Sequence, residues 1–148
     1  MLTIRRACAG DRYALLGLYR QLLPSDEPSP ADAELDAVWQ EILARPGVLV
    51  FVGESQGVVV ATCTLVVVPN LTRGARPYSL IENVVVHSDH RRRGYGDALM
   101  RHAISSAWSA GCYKVMLLTG RDQTHDFYEG VGLERGVKTG FVVYAQKP

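Results

Sequence analysis

Most of the chemistry in this sequence of 148 residues lies in the stretch Glu82-Asn83-Val84-Val85-Val86-His87-Ser88-Asp89-His90-Arg91-Arg92-Arg93-Gly94-Tyr95-Gly96-Asp97. A β-branched run ends in a turn with three arginines and two glycines, and an amphipathic helical pattern starts at once. In such a turn, successive backbone N–H groups and the helix N-terminus direct partial positive charge toward one point, which suits a phosphate or pyrophosphate. Gly94 and Gly96 let a bulky anion approach the backbone, and Arg91, Arg92 and Arg93 add charge. No Gly-Lys-Ser/Thr follows, so the turn is not a P-loop. Leu99 stands where a dinucleotide fingerprint needs its third glycine, so that reading fails too.

Groups able to move protons flank this turn. Glu82 lies two residues before Val84, on the same side of an extended strand by its period of two. Tyr128 carries a phenol that stays protonated at neutral pH, its reference pKa being ~10. His87, His90 and His125 titrate nearer neutrality, and His125 stands about one helical turn before Tyr128. Cys8, Cys63 and Cys112 form no C-x-x-C pair, so neither a zinc ribbon nor a disulfide framework is expected; the residues point to no metal. Cys112 follows Gly111 at a helix end and reads as a packed thiol rather than a nucleophile.

These residues need elements to hold them. Leu2–Ala7 reads as a strand. Asp11 caps a helix with Leu15, Leu18, Tyr19 and Leu22 at helical spacing, and prolines at 24, 28 and 30 break it. A second helix spans about Ala31–Ala44. Val48–Gly53 and Gly57–Val68 form a β-hairpin around Glu54-Ser55-Gln56-Gly57, and a polar loop at 70–77 leads to the strand Tyr78–His87. A helix over about Asp97–Ala110 stops at Gly111, followed by a buried strand Tyr113–Leu118, a short helix Thr124–Val131 and a last strand Phe141–Tyr144. The order β-α-α-β-β-β-α-β-α-β predicts one domain over residues 1–148. Its class is α/β (α+β in some schemes), with a mixed sheet of six to seven strands and about four helices. Residues 78–118 have the layout of a parallel βαβ unit.

Composition narrows the classes. The chain is 47% hydrophobic and 21% charged, with 16 Lys+Arg against 15 Asp+Glu, a net charge of +1. Near-neutrality argues against a nucleic-acid binder, and Arg73, Arg76 and the three turn arginines lack the aromatic platforms that would stack bases. The opening Met1-Leu2-Thr3-Ile4-Arg5-Arg6 places charges where a signal peptide needs an apolar run, and Val58–Val68 is too short to span a bilayer. A soluble cytoplasmic protein without membrane contact is expected.

With its context, Arg91-Arg92-Arg93-Gly94-Tyr95-Gly96 resembles the pyrophosphate-binding motif of the GNAT N-acetyltransferase superfamily, Gln/Arg-x-x-Gly-x-Gly/Ala. Phe127-Tyr128-Glu129-Gly130-Val131-Gly132-Leu133 is similar to the family's C-terminal half, and the element order matches its fold. The resemblance implies acetyl-CoA as donor, its pyrophosphate on the backbone of Arg92–Asp97 with Arg91 assisting. Val84, Val85 and Val86 would present backbone groups to the pantetheine arm and thioester, and Thr119, Thr124 and Phe127 would complete the cofactor site. Tyr128 takes the family's place for the acid facing the CoA sulfur, and Glu82 the place of a carboxylate base acting through water.

The implied acceptor is a small-molecule amine: a polyamine, amino sugar, amino acid or aminoglycoside-like compound. The alternatives are a peptide or protein amine, or a non-catalytic CoA-binding module. Ile81–Val86 and Gly111-Cys112-Tyr113-Lys114-Val115 look similar to the glucosamine-6-phosphate N-acetyltransferase branch. There, Asn83 departs from a carboxylate, and Thr124 from the Asn of many relatives. Arg73, Arg76 and Lys114 would serve a phosphorylated sugar. Conversely, residues 21–44 hold six acids and no Lys or Arg, a pattern favouring a cationic amine. The long apolar strands and the 70–77 loop allow pairing into a homodimer, as is frequent in the family.

Overall fold

The computed structural model describes residues 1–145, which divide into two compact units, residues 1–117 and 118 onward. The first unit holds one five-stranded sheet in the order β1-β2-β3-β4-β5. The strands are β1 Leu2–Arg6, β2 Val48–Ser55, β3 Val58–Val68, β4 Tyr78–Val86 and β5 Val115–Met116. The first four pair antiparallel, and β5 joins β4 in parallel. The helices of this unit are α1 Arg12–Leu22, α2 Asp32–Ala44, a single turn α3 Thr72–Ala75, and α4 Tyr95–Ser109. Among the described residues no helix is long and apolar enough to cross a membrane.

The alternation of β2 sorts the helices onto the two faces of the sheet. Val50 and Val52 pack with Leu15 of α1 and Trp39 of α2. Phe51, between them, meets His102 of α4 edge-on, ring centroids 4.8 Å apart. So α1 and α2 cover one face and α4 the other. The edge strand is fastened by charge: Arg5 clamps both oxygens of Asp11 at 2.7 and 3.0 Å and also reaches Glu54 at 2.9 Å. The Cys8 N–H donates to Asp11 as well, and these bonds to Arg5 and Cys8 hold the buried Asp11 carboxyl down at about 2.

The sheet falls short of six to seven strands. Phe141–Tyr144, expected as a strand, is irregular and exposed. The strand expected at Tyr113–Leu118 shrinks to two residues, because its ladder holds only Ser79 with Val115 and Leu80 with Met116. The cause lies just beyond, in β4. Thr64 pairs with Glu82 and Thr62 with Val85, so β4 fits one extra residue opposite Cys63. Asn83 takes it up in the left-handed conformation, φ 53°, and a bulge of this kind bends and twists its strand.

The 70–77 loop also has more order than its polar composition suggests. Arg73, Gly74 and Ala75 are consecutive left-handed residues, at φ 57°, 70° and 59°. The Asn70 side chain holds the turn by donating to the Thr72 carbonyl and hydroxyl and to the Arg76 carbonyl. The second unit contains α5, His125–Gly130, preceded by a 3-10 turn at Asp122–Thr124.

Two stability measurements check these constraints. A depressed carboxyl stabilises the fold fully above its unfolded pKa, near 4, and loses that contribution as pH falls through its folded value. Asp11→Asn should cost about 2 kcal/mol in urea melts at pH 7, and the gap to the parent should close between about pH 4 and pH 2. At the bulge, Asn83→Gly should melt within about 2 °C of the parent, whereas Asn83→Val should cost about 1–3 kcal/mol, since a β-branched residue resists positive φ.

Candidate functional site

The bulge decides which way the site residues of β4 face. Without it, Glu82 and Val84 would share a face, as the period of two requires. With it, Glu82 sits opposite Thr64 and Val85 opposite Thr62, so Glu82 shares a face with Val85 instead. That is the α1 side of the sheet, where the half-buried Tyr19 phenol approaches Thr62 and Thr64 and desolvation favours its neutral form. Glu82 is exposed, whereas Val85 is 5% exposed. Among the described residues, β4 has no β5 partner beyond Leu80. The parallel pair therefore parts after Leu80, before the chain reaches Glu82.

At the far end of β4 the chain turns through Ser88–His90 and Arg91–Gly94 into α4. Gly94 is the N-cap at φ 75° and makes no side-chain cap bond. The first intrahelical bond runs from Ala98 N–H to the Gly94 carbonyl, at 3.0 Å. The N–H groups of Tyr95, Gly96 and Asp97 thus precede the helical ladder and are available to an anion. Asp97, which would oppose an anion here, is paired with Arg101 at 2.9 Å.

The three turn arginines divide their work. The Arg91 Nε donates to the Val86 carbonyl at 3.1 Å, and Arg93 donates to the Asp89 carbonyl at 3.0 Å. Both therefore brace the turn that sequence had credited with charge alone. Arg92, itself left-handed at φ 58°, is exposed. The Tyr95 ring stacks on His90 with centroids 6.2 Å apart, and its hydroxyl lies 3.2 Å from Ser55. His90 packs edge-on against His87, so two histidines that composition left as bases instead wedge the turn.

In the second unit, Thr119 and Thr124 form a local knot. Their hydroxyls lie 3.0 Å apart, Thr124 donates to the Arg121 carbonyl at 2.7 Å, and the Arg121 N–H donates to Thr119. Phe127 and Tyr128 are half-buried with ring centroids 5.0 Å apart. The His125 Nδ1 lies 3.0 Å from Arg135 Nη1. A guanidinium only donates, so that nitrogen is spent as an acceptor.

The acidic stretch 21–44 is less acidic in place than in sequence. Asp32 and Asp36 meet Arg12 of α1 at 3.1 and 3.7 Å, and Glu41 pairs with Arg45 just past the stretch. Three of its six carboxylates thereby meet an arginine outside the stretch, two of them sharing Arg12. The cations at the start of β4 are different. Lys114 sits over the rings of Tyr78 and Tyr113, at 5.5 and 5.6 Å, and Arg73 over Tyr113 at 5.7 Å. Arg76 donates to the Cys112 carbonyl at 3.2 Å. Of the cysteines, Cys63 and Cys112 are buried, burial pushing the Cys63 thiol up to about 12, while Cys8 is exposed.

Sequence reasoning missed the bulge, although an Asn inside a β-branched run is its signal, since Asn is depleted in strands and tolerates positive φ. It also treated Tyr19 only as a helix-face residue and missed its place on the face that carries Glu82.

A family model described as the acetyltransferase (GNAT) family matches residues 14–133. A glucosamine 6-phosphate N-acetyltransferase of Trypanosoma brucei brucei is 37% identical over 90 residues, 60% of this chain and 60% of that protein. The match therefore spans less than two thirds of the trypanosomal protein's length. Glucosamine 6-phosphate N-acetyltransferase 1 of Oryza sativa subsp. japonica is 31% identical over 129 residues, 84% of this chain and 76% of the relative. A solved structure from Agrobacterium tumefaciens str. C58, which carries an acetyltransferase name, superimposes with a TM-score of 0.91 at 50% identity. That superposition covers 97% of this chain and 99% of the other. A bulged strand unpaired on one side, an anion cradle at its end and this breadth of matching place the chain in the GNAT acetyltransferase family.

Proposed function

We propose that the protein transfers the acetyl group of acetyl-CoA to the primary amine of a phosphorylated amino sugar. The observation that carries the reaction class is a strand, β4, whose β5 side is unpaired past Leu80 and whose end feeds the free N–H groups of Tyr95, Gly96 and Asp97. An extended pantetheine arm suits the unpaired backbone of Val84–Val86 in the manner of an added strand. The pyrophosphate suits the α4 N-terminus, with Arg92 beside it and Arg91 and Arg93 bracing the turn.

In the proposed reaction, the neutral amine attacks the thioester carbonyl carbon while a backbone N–H near Val84 stabilises the developing oxyanion. Glu82 takes the amine proton through water. The C–S bond breaks as the C–N bond is completed, and Tyr128 returns a proton to the departing CoA thiolate, leaving an amide and free CoA. With its Nδ1 engaged by Arg135, His125 is a poorer base than Glu82.

For the acceptor, the relatives' names supply an amino sugar phosphate, and the charges agree with it. Lys114 and Arg73 rest on tyrosine rings without a carboxylate partner among the described residues, so they remain available to a phosphate. The cationic-acceptor reading is weakened, because Arg12 and Arg45 offset two of the six negative charges of the acidic stretch.

Free-CoA release measured across glucosamine 6-phosphate, glucosamine, spermidine and a lysine peptide should be fastest with glucosamine 6-phosphate. If none of the amines raises release above background, the reading fails. Tyr128→Phe should lower kcat by about 10- to 1000-fold while the KM for acetyl-CoA stays within about twofold. Lys114→Ala should raise the acceptor KM about tenfold for glucosamine 6-phosphate and leave that for glucosamine unchanged.

A further inference from the structure

A groove of about 570 Å³ opens on the α4 face of the sheet, on the flank of α4 toward the β1 edge. Its floor is Phe51 and Leu49 of β2, and its walls are Arg6 of β1 and the later turns of α4 with His102, Ser105 and Ser109. The groove is remote from the donor cradle. Three strand spacings, about 14 Å, separate β1 from β4, and Ser105 lies about 15 Å along α4 from Tyr95.

The charges of β1 divide by face. Arg5 is spent on Asp11 and Glu54. Arg6, its neighbour, pairs across the strands with Phe51, and among the described residues its guanidinium has neither an ion pair nor a hydrogen bond. Among the described residues no carboxylate lines the groove. The Phe51 ring is nearly buried and turned edge-on to the His102 imidazole, so the half-buried Leu49 supplies most of the accessible apolar floor beside the free guanidinium. The Ser109 hydroxyl donates to the Ser105 carbonyl and so keeps acceptor capacity. The Ser105 hydroxyl makes no bond among the described residues and remains a donor.

We propose that this groove is a second ligand site, for a monocarboxylate on a flat apolar body, bound through a two-pronged Arg6–carboxylate contact over the floor of Leu49 and the edge of Phe51. One permanent positive charge matches one carboxylate, whereas a phosphate dianion would leave charge unbalanced over an apolar floor. The volume lies in the range of small-molecule sites. The proposal is independent of the acetyl-transfer reading.

The test is a titration of the full-length, ¹⁵N-labelled protein with 2-naphthoate, followed by amide shifts. Saturable shifts at Arg6, Phe51, His102 and Ser105 are expected. Arg6→Ala, which removes an exposed side chain without a partner and whose unperturbed spectrum verifies folding, should weaken binding at least about tenfold. Arg6→Lys should fall between the two, and the neutral isostere 2-naphthalenemethanol should bind the parent and Arg6→Ala equally weakly. Shifts that fail to saturate, that fall elsewhere, or that are unchanged in Arg6→Ala overturn the proposal. So does movement of the same amides on diluting the protein without naphthoate, which would make a second copy of the chain the occupant.

Discussion

One residue too many in β4 organises this end of the sheet. Opposite three residues of β3, Cys63 with the threonines on either side, β4 must fit four, and it does so by turning Asn83 left-handed. The consequences are geometric. The parallel ladder to β5 stops after two pairs, leaving the backbone of Glu82–Val86 unpaired on that side. The same extra residue rotates Glu82 onto the α1 face, opposite Thr64 of β3. A regular strand of identical composition would zip further into β5 and would put Glu82 and Val84 on one side. The local cost of a non-glycine residue at positive φ is of order 1 kcal/mol or more. The antiparallel pairing with β3 on both sides of the bulge holds it in place.

The turn at the end of β4 follows the same logic of leaving backbone groups open while fixing everything around them. Gly94 caps α4 without supplying a side chain to its first N–H groups. Rigidity comes from elsewhere: Arg91 and Arg93 bind carbonyls of the preceding chain, His90 stacks on Tyr95, and the Tyr95 hydroxyl anchors at Ser55. A turn built this way would lose little conformational entropy on taking an anion, because its donors are already aimed. Arginines in a glycine turn read as ligands for phosphate, yet two of the three are struts.

Hydrophobic periodicity and turn chemistry made most elements legible in the sequence. Both long helices of the α1 face, the β2–β3 hairpin, and the turn leading into α4 lie within a few residues of their expected bounds. What escaped depends on contacts distant in sequence. Tyr113–Leu118 has the composition of a full strand, but its length is set by how far β4 stays parallel to it, a property of Asn83 about thirty residues earlier. Phe141–Tyr144 has ideal strand composition and lies exposed, because propensity in a strand expresses packing against a neighbour rather than a backbone preference. The left-handed turn at Arg73–Ala75 is held by Asn70, a side-chain-to-backbone pattern that composition registers only as polarity.

Charge shows the same gap between composition and position. A net charge of +1 describes a nearly balanced chain, but pairing is not uniform across it. Arg5, Arg12, Arg45 and Arg101 are each matched to a carboxylate. The cations without such a partner among the described residues include Arg6, Arg73, Arg92 and Lys114, and none of them buttresses the α1–α2 face. They stand instead at the groove edge, on half-buried tyrosine rings and in the α4 turn. Since paired surface charges contribute little net field while unpaired ones retain theirs, this remainder sets the electrostatic character of the recognition surfaces. That character is cationic at three separate places, although neither the total charge nor the acidic run at 21–44 would have indicated it.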